Sequence, residues 1–457
     1  MRKLLFIIFL FSFQIAFAQK ESKAIAKIIA GPMLGYMEHT ECLVWVQTAC
    51  AKKITIQYRI KGANGTWMSN SLSNTESAIC KPFISKFILT GLEMGSNYDY
   101  QILLDNQVQQ FNYPLTFKTK VLWEWRTPPP DFSFMLGSCL YINDSAYDRP
   151  GKPYGGSDEI LTTMTNTPAD FMIWLGDNTY TREADYSSAS GIANRYLHTR
   201  STQQMQPFLA KMNHYAIWDD HDYGDNDANK YFDLKEESAA CFKAYWGNKT
   251  YGENGQGIYH NFRFSDAEFF LLDDRWFRDE SELQESKFSK TQLGSNQLSW
   301  LKNKLKHSKA SFKFVAAGGQ FINENTNVES FNLYKKEREE IIQFIIDQKI
   351  GGVFFLSGDR HHTELLKNDK VTSALGYPLY DLTSSSITAG SSSVLKTAEA
   401  QNPQRVENTL TVENNFCTIK ISGPKRGERV LTITCFDAKG MVKWGKSLKE
   451  SELKAIN

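Results

Sequence analysis

The chain has 457 residues, with 52 Lys and Arg against 51 Asp and Glu, and 41% of its residues are apolar. That length accommodates about two to four domains, or one large domain with an accessory, and a core of ordinary size. The near-balance of charge excludes the basic excess of a nucleic-acid-binding protein, the 13% of aromatic residues excludes a disordered chain, and Gly 29 and Pro 13 exclude collagen-like and low-complexity classes.

Met1–Ala18 reads MRKLLFIIFLFSFQIAFA: a basic start at Arg2 and Lys3, an apolar run, and a small-x-small end at Ala16-Phe17-Ala18. This is the anatomy of a cleaved secretory signal, and the run is short of the roughly 20 residues of a membrane span. Without Arg2 and Lys3 the chain carries 50 basic against 51 acidic residues. No later window reaches span length, so the expectation is a soluble protein exported to a periplasm or the cell exterior. Export permits disulfides. The cysteines are Cys42, Cys50, Cys80, Cys139, Cys241, Cys417 and Cys435, an odd number that leaves at least one free or otherwise employed.

Residues 25–120 read as all-β. Cys42–Gln47, Ile54–Ile60, Ser85–Leu92 and Tyr98–Leu104 are short β-rich runs, with a turn at Gly62-Ala63-Asn64-Gly65. Such spacing predicts a β-sandwich. Leu89–Tyr100 resembles the fibronectin type III corner, in which a Tyr anchors a loop before an inner strand. Arg126-Thr127-Pro128-Pro129-Pro130-Asp131 is a linker.

From 126 to 395 apolar strand-like runs alternate with helical stretches, as in an α/β domain. The expected strands are Phe132–Leu136, Phe171–Leu175, Tyr215–Trp218, Glu268–Leu272, Phe312–Ala316 and Gly352–Leu356. Leu333–Lys349 is an amphipathic helix with one charged face. Residues 396–457 close with Cys417–Ser422 and Arg429–Phe436, a strand pair expected to pack on this domain.

Polar residues gather where the apolar runs stop, which in open α/β sheets is where ligands bind. These ends read Gly137-Ser138-Cys139, Gly176-Asp177-Asn178-Thr179-Tyr180, Trp218-Asp219-Asp220-His221-Asp222, Asp273-Asp274-Arg275 and Ser357-Gly358-Asp359-Arg360-His361-His362. Asp commonly caps a helix, but capping alone does not account for five such ends. Asp219–Asp227 holds five carboxylates and one His in nine residues, a crowding that cations would offset. One rival is an EF-hand loop over Asp225, Asp227, Asn229, Asp233 and Glu236, with Lys230 where that loop needs Gly; another is a solvated acidic loop. Soft Cys, phenolic Tyr, His and Asp from separate strands point to a site with unlike metals: ferric iron for the Cys–Tyr–His–Asp set, calcium, magnesium or manganese for the surplus carboxylates. Two such metals activate water or clamp a phosphoryl group, and Arg275 offers a forked contact to phosphate.

In this order, the motifs resemble the PhoD-type alkaline phosphatases of the calcineurin-like metallophosphoesterases, over roughly residues 30–440. The resemblance implies a β-sandwich domain (fibronectin III-like) followed by a metallophosphoesterase β-sandwich flanked by helices, an α+β or α/β multilayer. It implies iron ligands at Cys139, Asp177, Tyr180 and His361, Asp177 bridging to calcium, Asp359 as a calcium ligand and Arg275 as a phosphate contact. Asn226 is the best match for the family's Asn, with Asp220 and His221 kept as ligands. Arg360 departs from the apolar residue usual at its position. His221 or His362 would protonate the leaving alcohol. The implied function is exported hydrolysis of small phosphate esters with Fe3+ and Ca2+ (Mg2+ or Mn2+ as substitutes). Alternatives are a phosphodiesterase or phospholipase D-like activity, shaped by loops such as Thr181–Asn194 and Asn323–Phe331, or a non-catalytic secreted binding protein.

Overall fold

A computed structural model gives the fold and describes residues 25–456, except 63–64, 75–80, 326–327, 392 and 425–426. The expected signal segment, Cys80 and the centre of the first turn lie outside these residues.

The chain opens with eight strands: β1 (Lys27–Met37), β2 (Cys42–Ala49), β3 (Lys53–Ile60), β4 (Met68–Ser73), β5 (Phe83–Leu89), β6 (Asn97–Leu104), β7 (Gln107–Val108) and β8 (Thr116–Lys118). They form two layers. β3, β4, β6, β7 and β8 make a five-stranded antiparallel sheet, which faces β1, β2 and β5. The period-two pattern that predicts this is real: along β6, Tyr98, Tyr100, Ile102 and Leu104 are buried while the residues between them are not. They close over Val44, Val46, Ile54 and Ile56. The Tyr98 hydroxyl accepts from the Glu93 backbone N–H at 2.7 Å, so this Tyr does anchor its preceding loop.

The second region contributes β9 (Phe132–Gly137), α1 (Ile160–Asn166), β10 (Phe171–Leu175), α2 (Ala189–Arg200), α3 (Met205–Lys211), β11 (Asn213–Ile217), α4 (Asp220–Tyr223), α5 (Lys235–Tyr245), β12 (His260–Phe264), β13 (Ala267–Leu271), α6 (Gly294–His307), β14 (Phe312–Ala316), α7 (Lys335–Asp347), β15 (Val353–Ser357), β16 (Glu364–Asn368), α8 (Thr372–Leu375), β17 (Leu379–Thr383), β18 (Asn415–Ser422), β19 (Val430–Asp437) and β20 (Val442–Lys449). Two sheets result. The first runs β20-β19-β18-β9-β10-β11-β1-β2-β5 and the second β12-β13-β14-β15-β17-β16. In the first, β9, β10, β11 and β1 are parallel; in the second, β13, β14, β15 and β17 are. β10, β11, β13, β14, β15 and β17 are buried at every residue, the mark of strands covered on both faces. The sheets meet through rings: Phe134 stands edge-on to Phe269 and Phe314, and Phe171 to Phe262 and Phe269.

The first layer is not closed off from the second region. β1 pairs in parallel with β11 at Leu34 and Asn213, so one sheet continues from the N-terminal strands into the α/β region. Cys50 is disulfide-bonded, and Cys42, Cys139, Cys241, Cys417 and Cys435 are free and buried, so the odd cysteine total leaves several free thiols, Cys139 among them.

Candidate metal centre

The carboxyl ends of the parallel strands in both sheets deliver their polar residues to one edge. After β9 comes Cys139, after β10 Asp177 and Tyr180, after β11 Asp219, Asp220 and His221, and after β15 Asp359 and His361. The backbone there is strained. Cys139, Asp177, Asp359 and His361 have φ of 58°, 52°, 63° and 54°, a region costly for residues with a Cβ and typical of functional sites. Two glycines permit the approach of the ends. Gly176 has φ +90°, and a Cβ on it would lie 2.6 Å from Asp219 Cβ; a Cβ on Gly318 would fall on the Asp219 carboxylate.

Three donor groups overlap along this edge: Cys139, Asp177 and His361; Asp177, Asp220 and His221; Asp220, Asp227 and Glu329. Within each, one donor atom per residue lies within 4.8 Å of the others. Asp177 and Asp220 are each shared between neighbours, so the three positions form a chain. Tyr180 joins the first, its hydroxyl 2.9 Å from Asp177 Oδ2 and 3.0 Å from His361 Nε2. Cys139 Sγ is 3.5 Å from Asp177 Oδ2 and accepts from the Ser385 hydroxyl at 3.1 Å; the same Ser385 oxygen accepts from the His361 backbone N–H. Tyr154 Oη lies 3.3 Å from the other nitrogen of His361.

Charge is crowded here. Burial, then Asp220 and Cys139, push Asp177 well above the carboxylate range. Burial pushes the Cys139 thiol up to about 11 against hydrogen bonds from Ser138 and Ser385, and burial with Asp177 raises the Tyr180 phenol. Asp227 rises to about 8, through its hydrogen bond with Glu329 and then burial. Asp220 goes the other way: burial opposes it, but His221 and Arg275 hold it below its usual value. Asp220 Oδ1, His221 Nδ1 and Asn178 Oδ1 are buried with no hydrogen-bond partner among the described residues, which is costly unless another partner takes them. The thiol, phenol and imidazole at one end and the carboxylates at the other are donor sets that could hold metal ions.

The remaining expected residues fall elsewhere. His362 is turned away from the edge: it is fully buried, with Nε2 3.1 Å from Glu364 and Nδ1 2.9 Å from the Arg360 carbonyl. It cannot protonate a leaving group, because the step after His361 points it into the sheet. Arg275 is also closed off. Its Nε donates to Asp219 at 2.6 Å, its Nη2 meets Asp219 and Glu329, and its Nη1 donates to the Ala228 carbonyl. It neutralises carboxylates beneath the edge rather than facing an open cleft. Asp359 pairs with Arg360 at 3.3 Å, which accounts for a charged residue at that position. Asn226 is exposed at the cleft rim and donates to Asp227. The EF-hand pattern is not formed: Asp227 turns to Asp220 and Glu329, and Asn229 to Glu280. Within the acidic run, Asp219 and Asp222 form the capping box of α4. Glu329 and Ser385 were not expected from the sequence: Glu329 sits in a polar loop segment, and Ser385 follows β17, whose apolar run is interrupted by Asp381.

A cleft of about 770 Å3 opens onto this edge, lined by His221, Asn226, Tyr154, Arg182, Arg149 and Lys152 among others. Residues 138–435 match the family model of the PhoD-like phosphatases. The chain belongs to the PhoD-like phosphatase family. Residues 25–121 match a domain of unknown function (DUF7800). Alkaline phosphatase D of Bacillus subtilis (strain 168) is 24% identical over 311 residues, 59% of this chain and 52% of that protein. This PhoD-like chain thus spans about half the length of the curated relative it matches. A solved structure of PhoD superposes with a TM-score of 0.74 at 16% identity, over 93% of this chain and 90% of that one. The purple acid phosphatase PPD1 from yellow lupin (Lupinus luteus) seeds superposes at 0.61 and 11% identity, over 92% and 74%. At these identities the superpositions speak for the fold. Among the described residues, no helix is long and apolar enough to cross a membrane.

Proposed function

We propose that this PhoD-like chain is an exported metal-dependent phosphoesterase using ferric iron together with calcium or a similar divalent cation. The observation that carries the reading is the chain of three donor groups sharing Asp177 and Asp220. Cys139, Asp177, Tyr180 and His361 would hold the iron. Asp177, Asp220 and Asp359 would hold the neighbouring divalent cation, with Asp227 and Glu329 extending the row. When bound, such cations supply a nucleophilic hydroxide and polarise the phosphoryl group.

The chain's own residues do the rest. Ser385 fixes the Cys139 sulfur and the His361 backbone together, and Tyr154 holds the His361 ring through its other nitrogen, a support that metal-binding histidines characteristically have. Arg275, tied to Asp219 and Glu329, keeps the carboxylates spaced. His221 lines the cleft beside Asp220 and is the group we assign to protonating the leaving oxygen. The cleft is larger than a phosphate monoester needs, which favours esters with a sizeable organic part, diesters included.

The test is to purify the full chain without chelator, measure its metals, and assay a phosphate monoester, a diester and a phospholipid with and without chelator. Bound iron with chelator-sensitive hydrolysis is the expected result. Metal-free protein whose hydrolysis ignores chelator would contradict the metal centre, and inactivity of metal-loaded protein on every ester would contradict the phosphoesterase reading.

A further inference from the structure

Arg275, the basic residue expected to meet phosphate, has its guanidinium closed by Asp219, Glu329 and the Ala228 carbonyl. A different arginine faces the cleft. Arg182 follows the candidate ligand Tyr180 by two residues, is 91% buried by its exposure of 9%, and lines the same cleft as His221 and Tyr154. Its guanidinium carbon stands 4.5, 5.4 and 5.7 Å from the ring centres of Tyr141, Tyr154 and Tyr180. Three rings around one cation hold its plane in place. Its Nε donates to Tyr141 Oη at 3.1 Å, while both Nη groups make no hydrogen bond among the described residues.

Three carboxylates of the surrounding segments are engaged elsewhere, and Asp225, which also lines the cleft, makes no ion pair with Arg182 among the described residues. Asp148 takes the Tyr141 hydroxyl and the Asp144 backbone N–H. Glu183 pairs with Arg149. Asp185 accepts the Arg182 backbone N–H and pairs with Arg195 at 2.8 Å. A mostly buried guanidinium with two free donor groups, beside a metal edge and without a protein carboxylate, is built to receive an anion from outside in forked geometry.

Resting on the phosphoesterase reading above, we propose that Arg182, and not Arg275, contacts the phosphoryl oxygens of the substrate in this cleft, held in place by Tyr141, Tyr154 and Tyr180. No covalent step at Arg182 is involved. It binds the anion and offsets charge on oxygens that the metals do not hold.

The test is calorimetric titration of inorganic phosphate into the full chain with its native metals, recording metal content and the visible spectrum. Arg182→Gln should bind phosphate about tenfold or more weakly, with metal content and band position unchanged. Arg182→Lys, which keeps the charge and loses the fork, should fall between. Equal phosphate affinity in wild type and Arg182→Gln would overturn the proposal. Loss of metal from both variants would overturn it too, assigning Arg182 to support of the tyrosines alone. A wild-type chain without metal would remove the metal centre but leave this inference standing if phosphate binding still depended on Arg182. A wild type that binds no phosphate would end it.

Discussion

At the scale of single residues, Asp220 is the hinge of the site. It is buried among Asp177, Asp227 and Glu329 and still held in its charged form by His221 and Arg275. Without cations this packing of like charge is unfavourable, and every additional acid raises the cost. Cys139 and Tyr180 follow the same logic at the other end: burial keeps thiol and phenol protonated until a metal displaces the proton. Cys139→Ser should therefore lower bound iron about tenfold or more and activity with it, measured by metal analysis and steady-state rates on the same preparation. Tyr180→Phe should abolish or shift the visible phenolate band while leaving the fold intact by circular dichroism.

The ion group beside the site makes a prediction of a different kind. Glu364 is buried, with His362 at 3.1 Å and Arg405 opposite its second oxygen. Burial raises it, but the hydrogen bond and charge of His362 and the charge of Arg405 win, and it falls to about 2. A carboxylate lowered on folding stabilises the protein above its unfolded value of roughly 4. That contribution fades as pH falls from there towards about 2. Glu364→Gln leaves the Arg405 guanidinium without its carboxylate and should cost about 3–5 kcal/mol near neutral pH. It should also flatten the acid limb of the stability profile between roughly pH 4 and 2, read by denaturant unfolding at a series of pH values. A limb as steep as in wild type would contradict this account of Glu364.

At the scale of elements, the parallel strands of two facing sheets end at one edge, and their last residues carry the chemistry. This was legible in the sequence because buried strands are continuous apolar runs and each run stops at a polar residue. Phe171–Leu175 and Phe312–Ala316 are strands with the bounds the hydropathy predicts. What stayed hidden has physical causes. β1 bends through Gly31-Pro32 and Gly35 and carries no clean alternation, yet it joins the two regions through β11. β16 begins in a buried charged residue, Glu364, so its apolar pattern is broken. Glu329 reaches the site from a polar loop, and only tertiary contact brings it to Asp227. His362 was misplaced because adjacent residues in a tight segment point opposite ways, and the sequence does not say which faces the edge. The close approach of the strand ends is itself testable. Gly318→Ala places a methyl against Asp219 and should destabilise by about 1–3 kcal/mol through overpacking while weakening metal binding. A variant as stable as wild type would mean that the edges are further apart.

At the scale of the whole molecule, the near-zero net charge is an average. Acidic groups are gathered at one edge, where Arg275 and Arg360 offset part of their charge and bound cations would offset the rest. On the proposed function, cations that bind the folded chain and not the unfolded one should stabilise it. Calcium at about 100 times its dissociation constant adds about 2.7 kcal/mol, and chelation should lower the melting temperature by the same linkage. Calcium-independent melting would place the divalent cation outside the native site. The measurement that bears most directly on the central claim is metal analysis with visible spectroscopy on the full chain, purified without chelator. Near-stoichiometric iron with a thiolate or phenolate charge-transfer band, lost in Cys139→Ser or shifted in Tyr180→Phe, is the result this account predicts. Protein that carries no iron and shows no band, yet hydrolyses phosphate esters at an undiminished rate, would contradict it.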